Sequence, residues 1–271
     1  MSAHRGAQLV VVHAVSKEDP YSWGAVDRVA ALAVLRERAE AQGVPVRVRV
    51  QHGDIAGVIL LHARAQAPDL IVLGSHEPVG FARLTFRSIA DRVVKGAACA
   101  VLLVPAATAH VTPAFRNIIC AVDLSSRSAA MITNVLRFAE GDGRLAFLHV
   151  LPDSMRRRYG RFGSTQSSPA TALDARQRLQ TLLDTQALTS EALVTVSSKS
   201  VHDDILRVAR DRKADLIVAG ATRRHGLHRR FLGSTALRLS RRSTLPVLIL
   251  PAVHVERELS ALDEAVLGWA A

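Results

Sequence analysis

Aromatic residues and cysteines are scarce in this chain of 271 residues. Aromatic residues make up 4% of it, and its two cysteines, Cys99 and Cys120, stand in neither a metal-ligand spacing nor a C-x-x-C pair. Both are flanked by apolar residues, so we expect buried, reduced thiols. The chain also shows no signal peptide and no run near the ~20 apolar residues of a membrane span. These absences predict a cytoplasmic protein that has no membrane partner.

Acidic residues are outnumbered by basic ones, and most of the excess is arginine. The 35 Lys and Arg against 24 Asp and Glu give a formal net charge of +11. A surface of this sign attracts nucleotide phosphates, nucleic acid, anionic lipid or an acidic protein. The basic cluster at 156–158 could contact nucleic acid, but no nucleic-acid-binding fold signature accompanies it. We therefore do not expect a nucleic-acid partner.

The sequence contains one pattern of residues twice. The matching segments are 9–15 with 145–151, 69–74 with 215–220, and 100–106 with 246–252. The second and third pairs lie 146 positions apart and the first pair 136, so the second copy holds ten additional residues between its first two blocks. An internal repeat of this length predicts two domains of one kind.

Strands and helices alternate strictly in both copies. Short apolar runs predict strands buried on both faces, and apolar residues at helical spacing predict the helices between them. The second copy shows five strands and four helices, and right-handed crossovers then require a doubly wound parallel sheet. The first copy shows the same order from its second strand onward, because nothing before Gln8 can supply the first strand and helix. Either this domain is truncated in the cell or its start codon lies upstream.

We therefore predict an α/β protein of two tandem, doubly wound parallel-sheet domains, the first lacking strand 1 and helix 1. The expected boundaries are 1–107 for the truncated domain, 113–252 for the complete domain and 253–271 for a C-terminal amphipathic helix.

The most informative motif follows the fourth strand of the second copy. Residues 220–235 read GATRRHGLHRRFLGST, in which a buried strand opens into a loop and a helix begins at Gly233-Ser234-Thr235. Backbone N–H groups at a helix N-terminus bind phosphate, and a hydroxyl adds a further donor. Glycine lets the backbone approach the phosphates closely.

The repeat, the DLIV-x-G strand and the Gly-Ser helix start together resemble the universal stress protein family. Nucleotide-binding members of that family carry Gly, two residues, Gly, nine residues and then Gly-Ser or Gly-Thr. Gly220 and the pair Gly233-Ser234 match this motif, whereas Arg223 stands where the second glycine belongs. The resemblance covers nearly the whole chain and implies the fold known as the adenine-nucleotide alpha-hydrolase-like fold.

The resemblance implies an adenine nucleotide site in the second copy. Asp123 would lie near the ribose and phosphates, and Val150 and Ala219 would line the adenine. The implied binding residues are Asp123, Val150, Ala219, Gly220, Arg223, Gly233, Ser234 and Thr235. The implied cofactor is ATP or a related adenine nucleotide, accompanied by Mg²⁺, with no catalytic residue and no metal site formed by the protein alone.

The first copy departs further from the family motif. Gly74 matches the first glycine, but Glu77 and Arg87 replace the other two, and the strand-one aspartate is missing with its strand. A carboxylate at Glu77 would repel a triphosphate. We expect this copy not to bind nucleotide.

The residues themselves leave other roles open. Gly220, Gly233 and Ser234 are also consistent with an ordinary turn and helix cap, and Asp123 with a cap of the helix that starts near Ser125. The arginines of the loop would either clamp phosphates or form a solvated basic rim. His149 is interpreted as a half-buried strand residue without a catalytic role.

The resemblance implies a nucleotide-responsive regulatory module of the stress response. The alternatives are a nucleotide-independent interaction or scaffold protein and, by family analogy, a slow ATPase. No G-x-S-x-G, H-E-x-x-H or P-loop motif is present, and the loop DLSSRS after the first strand lacks the glycines of adenylate-forming relatives. The residues therefore do not predict an enzyme.

The last strands, Val101–Val104 and Val247–Leu250, should be edge strands of their sheets. An exposed apolar edge favours pairing. In the family these strands pair antiparallel across a two-fold axis, which predicts a pseudo-dimer within this chain or a homodimer. No protein partner can be named from the residues.

Overall fold

The computed structural model describes residues 6–16, 25–75, 82–105, 115–125, 127–136, 138, 143–151, 169–186, 188, 190–197, 200–221 and 233–251. The C-terminal helix predicted for 253–271 lies outside these residues.

The described residues form nine strands and seven helices, which alternate within each copy as the sequence predicts. The strands are β1 Leu9–Val15, β2 Val46–His52, β3 Leu70–Ser75, β4 Ala100–Pro105, β5 Asn117–Ala121, β6 Arg144–Leu151, β7 Glu191–Val196, β8 Leu216–Gly220 and β9 Val247–Leu250. The helices are α1 Ala25–Ala41, α2 Ile55–Gln66, α3 Ala82–Gly96, α4 Ser128–Leu136, α5 Pro169–Thr185, α6 Val201–Asp211 and α7 Ser234–Arg242.

The chain divides into two compact units between Ala67 and Pro68. In the first unit, β1 and β2 pair in parallel to form a two-stranded sheet, with Leu9 opposite Val46 at one end of the register. The unit also contains α1 and α2. Asp54 caps α2, because its side chain accepts a hydrogen bond of 2.8 Å from the N–H of Gly57.

The second unit contains a seven-stranded sheet in the order β3-β4-β9-β8-β5-β6-β7. Every neighbouring pair in it is parallel except β4 and β9. The complete copy supplies the run β9-β8-β5-β6-β7, in which the chain starts at the central β5 and winds first to one side and then to the other. This is the doubly wound order, so the predicted fold class is confirmed.

The two copies meet at the antiparallel pair of β4 and β9. Leu102 lies opposite Leu248 at the centre of this pairing, so the predicted contact between the two last strands is confirmed. Asp91 of α3 and Arg241 of α7 add an ion pair across the same junction. Because Asp91 is buried, this pair lies in a setting where charges must be matched.

The core of the second unit is aliphatic and is centred on β5. Ile118, Ile119 and Cys120 are each at most 1% exposed, since strands and helices cover β5 on every side. Phe147, on the neighbouring β6, is fully buried. Both cysteines are buried and free, as expected. Among the described residues, no helix has the length and hydropathy that crossing a bilayer requires.

Candidate functional site

A cavity of about 590 Å³ opens at the carboxyl ends of β5, β6 and β8. Open α/β sheets bind ligands at this edge, next to the point where the strand order reverses. A volume of this size is in the range of small-molecule sites. Seven of the eight residues in the predicted site line the cavity: Asp123, Val150, Ala219, Gly220, Gly233, Ser234 and Thr235. The eighth, Arg223, lies outside the described residues.

Asp123 stands in the tight turn that leads from β5 to α4. Its Oδ1 accepts hydrogen bonds from the N–H of Ser125 (3.0 Å) and the hydroxyl of Ser128 (3.2 Å). Leu124 adopts a positive φ of 56°, which reverses the chain directly after the aspartate. Burial raises the pKa of Asp123, but the hydrogen bonds from Ser125 and Ser128 outweigh it and hold the pKa below its ordinary value. A carboxylate therefore faces the cavity at neutral pH.

This arrangement bears on the alternative role of Asp123 as a helix cap. Its carboxylate stabilises the turn ahead of α4 through Ser125 and joins the first residue of the helix, Ser128, through its hydroxyl. Both of these contacts use Oδ1. The side chain therefore combines a structural role with a place in the lining of the cavity.

The N-terminus of α7 forms another wall of the cavity. Gly233 precedes the helix at φ −56° and ψ 146°, and no side chain caps the first turn. Any residue can adopt this backbone conformation, so the glycine is not required by a strained turn. Without a capping side chain, the first N–H groups of α7 remain available to an anion, together with the hydroxyls of Ser234 and Thr235.

Gly220 ends β8 at the floor of the cavity. A Cβ built on it would lie 3.2 Å from the Sδ of Met131 on α4. This is a tight contact, and Met131 itself lines the cavity. Gly220 thus has a packing reason for being glycine, which supports the turn interpretation as well as the binding interpretation.

The carboxyl end of β6 forms a further wall of the cavity. Val150 is 6% exposed there. The Nδ1 of the neighbouring His149 lies 2.9 Å from the carbonyl oxygen of Val122. Since a carbonyl oxygen can only accept, Nδ1 carries the proton and leaves Nε2 without it in neutral histidine. This end of the cavity therefore combines an apolar surface with one ring nitrogen.

The model of the universal stress protein family matches residues 1–105 and again 114–251. The chain belongs to the universal stress protein family. Among curated relatives, universal stress protein G of Salmonella typhimurium is 30% identical over 141 residues, which cover 50% of this chain and 99% of that protein. A universal stress protein of Methanocaldococcus jannaschii is 36% identical over 74 residues, which cover 27% of this chain and 44% of the length of that protein.

Solved structures extend the similarity over most of this universal stress protein. A functionally unknown protein from Pseudomonas aeruginosa aligns with a TM-score of 0.64 at 18% identity. The alignment covers 95% of this chain and 87% of that protein. A universal stress protein from Archaeoglobus fulgidus aligns with a TM-score of 0.60 at 18% identity, over 90% of this chain and 86% of that protein. At these identities the two structures show the fold alone.

Sequence reasoning missed several polar residues of the cavity in this universal stress protein. The structure adds His149 and three charged residues: Arg127, Asp174 and Arg178. Arg127 belongs to the DLSSRS loop, so its position next to Asp123 was a usable signal. Asp174 and Arg178 lie in the first half of α5, and only their spacing of four residues could have indicated that they share a face.

The motif residues of the first copy are described only in part. Gly74 lies near the end of β3, and Arg87 and Ser88 fall inside α3. Glu77 lies outside the described residues. No described residue between 6 and 75 takes the place of Asp123, because the described part of that stretch contains no counterpart of β5. The absence of nucleotide from this copy stays a prediction.

Proposed function

We propose that the second copy binds ATP or a related adenine nucleotide, and that this cytosolic protein is a nucleotide-responsive regulatory module of the stress response. The observation that carries the proposal is the cavity at the reversal point of the strand order. It gathers predicted site residues that are up to 112 positions apart in the sequence, from Asp123 to Thr235.

The three walls of the cavity suit the three parts of a nucleotide. The uncapped start of α7 offers N–H groups and the Ser234 hydroxyl to the phosphates. Asp123 stands just beyond the end of the central strand, where its carboxylate suits a ribose hydroxyl. Val150 of β6, which is 6% exposed, offers an apolar surface to the base, whereas Ala219, which is 4% exposed, stands on β8, the strand that precedes α7.

Mg²⁺ would fit this site as a companion of the phosphates. It is commonly held by one or two carboxylates together with phosphate oxygens, and Asp123 supplies one carboxylate. Among the described residues, no group of three or more His, Cys, Asp or Glu side chains could hold a metal ion. Any Mg²⁺ would therefore arrive with the nucleotide and neutralise part of its charge.

Isothermal titration calorimetry of the full chain with ATP, ADP and AMP tests the proposal. We expect saturable heat for at least one of them and a loss of binding in Gly233→Val, because the valine side chain blocks the approach of phosphate to the helix start. Asp123→Ala should weaken binding by about 1–3 kcal/mol, the cost of losing a charged hydrogen bond.

The backbone of Gly233 suits any residue, so Gly233→Val should keep a cooperative thermal transition and serve as a folded variant. Absence of heat at millimolar nucleotide, together with a nucleotide-free preparation, would contradict the proposal. In that case the nucleotide-independent scaffold would be favoured. One observation already supports this second candidate: several large apolar side chains of the first copy are exposed.

A further inference from the structure

Two charged side chains of α5 line the cavity and have no counterpart in the motif. Asp174 and Arg178 are four residues apart, so they lie on one face of the helix. Ala175, also at the cavity, is 3% exposed and packs toward the sheet. Neither Asp174 nor Arg178 forms a hydrogen bond or an ion pair with any other described residue. Two charges of opposite sign, without a partner among the described residues, thus line the same cavity.

The strand order fixes which end of the cavity these charges occupy. The start of α7 follows β8, whereas α5 follows β6 and packs on β6 and β7. Since β5 lies between β8 and β6, the strands that lead into these two helices are separated by two strand spacings, about 10 Å. A nucleotide whose phosphates lie at α7 and whose ribose lies at Asp123 therefore extends its base toward α5.

The charges suit the edge of a purine base better than they suit phosphate. A carboxylate accepts from an amino group, and a guanidinium donates to a ring nitrogen. Adenine presents both, with its exocyclic amino group next to ring nitrogens that accept. A carboxylate one helical turn from Arg178 would instead repel a phosphate.

We propose that Asp174 and Arg178 determine base specificity, with Asp174 accepting from the exocyclic amino group of adenine and Arg178 donating to an adjacent ring nitrogen. This inference rests on the proposed function, since it concerns the other end of the same site. Both side chains are exposed to solvent, so the discrimination against an analogue that lacks the amino group is that of one charge-assisted hydrogen bond.

The test compares ATP with purine riboside triphosphate, which lacks only the amino group, by calorimetry on the full chain. The wild-type chain should bind ATP at least about tenfold more tightly, the effect of one charge-assisted hydrogen bond. Asp174→Ala should bind both nucleotides alike. Asp184→Ala is the matched control, because Asp184 lies on the same helix, outside the cavity, and should keep the wild-type ratio.

Arg178 is tested with adenosine, which has no phosphates. Arg178→Ala should weaken the binding of adenosine and of ATP by the same factor. The control Arg176→Ala, at a residue outside the cavity, should change neither affinity. An effect on ATP that disappears with adenosine would show that Arg178 contacts phosphate and would overturn its assigned role.

The failure of this inference differs from the failure of the proposed function. If the wild-type chain binds neither nucleotide, the proposed function and this inference are both wrong. If it binds ATP and purine riboside triphosphate equally, or if Asp174→Ala keeps the wild-type ratio, only the assignment of Asp174 is overturned. Alanine is favourable in a helix, so a folding defect would not explain either result.

Discussion

The same sequence pattern forms a strand in each copy, but the two strands differ in burial. Val72 of β3 and Val218 of β8 are repeat counterparts in DLIV-x-G, yet Val72 is 56% exposed and Val218 is fully buried. Their neighbouring glycines differ in the same way. A Cβ on Gly220 would meet Met131, whereas a Cβ on Gly74 would meet nothing within 4 Å. One sequence pattern thus forms a core strand in one copy and an edge strand in the other.

The missing counterparts of β5 and α4 explain this difference. In the second copy β5 pairs with both β6 and β8, and Met131 of α4 covers the end of β8. In the first copy β1 and β2 form a sheet of their own, and β3 is the last strand of the large sheet. Most of the exposed large apolar residues of the described part lie in the first copy: Leu9, Val34, Leu35, Val50, Leu61 and Val72. In the second copy β5 joins β6 to β8, so the lack of its counterpart leaves β1 and β3 without a strand to pair them.

The largest expected effect concerns the two copies as separate fragments. Residues 1–107 alone should be insoluble or partly unfolded, because β4 loses its partner β9 and the exposed apolar surface grows further. Residues 113–252 alone should unfold cooperatively. Urea titration followed by far-ultraviolet circular dichroism, with size-exclusion chromatography, measures both.

A monomeric fragment 1–107 with a sigmoidal unfolding curve would contradict this account of the first copy. The compact units suggest a sharper control, because β3, α3 and β4 belong to the unit of the second copy. Residues 68–251 should therefore remain folded when 1–67 are removed.

The fold could be predicted from the sequence in nearly all its elements. Apolar runs such as NIICA at 117–121 and LIVAG at 216–220 have the length and composition of buried parallel strands. The antiparallel pairing of Val101–Val104 with Val247–Leu250 followed from the family resemblance. The division between Ala67 and Pro68 was not predicted, because it depends on which strands remain paired when a central one is missing.

The site was predicted where it depends on the chain order and missed where it depends on packing. Asp123 and Gly233 could be found because each ends or begins an element at the same edge of the sheet. Arg178 could not be found in this way, since its approach to the cavity depends on how α5 rests on β6 and β7. The role of Arg223 stays a prediction, because the residue lies outside the described part of the chain.

A matched pair of substitutions measures the difference in burial directly. Val218→Ala should lower the free energy of unfolding by about 2 kcal/mol, because it removes buried methyl groups and leaves a cavity. Val72→Ala, the same change at the repeat counterpart, should stay within about 0.5 kcal/mol, as expected of an exposed site. Urea unfolding of the full chain gives both values.

Equal losses in the two variants would show that Val72 is buried in solution, by another chain or by residues outside the described part of this one. Repeating the Val72→Ala measurement over a range of protein concentrations separates these cases, because only burial by another chain depends on concentration.

The second copy carries a titratable group at the contact between α6 and α7. His202 of α6 is 4% exposed and lies 3.2 Å from Nη1 of Arg242 on α7 through its Nε2. The Oγ of Ser200 lies 2.9 Å from its Nδ1. Ala56 and Gly96 are the repeat counterparts of His202 and Arg242, so the first copy cannot make this contact.

The smallest expected effect is a pH dependence of stability that arises at this contact. Burial lowers the pKa of His202, Asp203 of its own helix opposes the shift, and Arg238 and Arg242 of α7 reinforce it, leaving the pKa below the ordinary value of 6.5. In neutral histidine Nε2 can accept from Arg242, whereas a proton on Nε2 would place two N–H groups face to face. The unfolded chain therefore binds a proton that the folded chain resists, so stability is full above about pH 6.5 and falls as the pH drops below it.

Between about pH 7.5 and about pH 5.5 the wild-type chain should lose more stability than His202→Gln, measured as the shift of the urea midpoint. Arg242→Gln should reduce the loss in part, because it removes one of the two cations. If the wild-type chain and His202→Gln lose the same stability, the pH dependence has another source and the two copies do not differ in this respect.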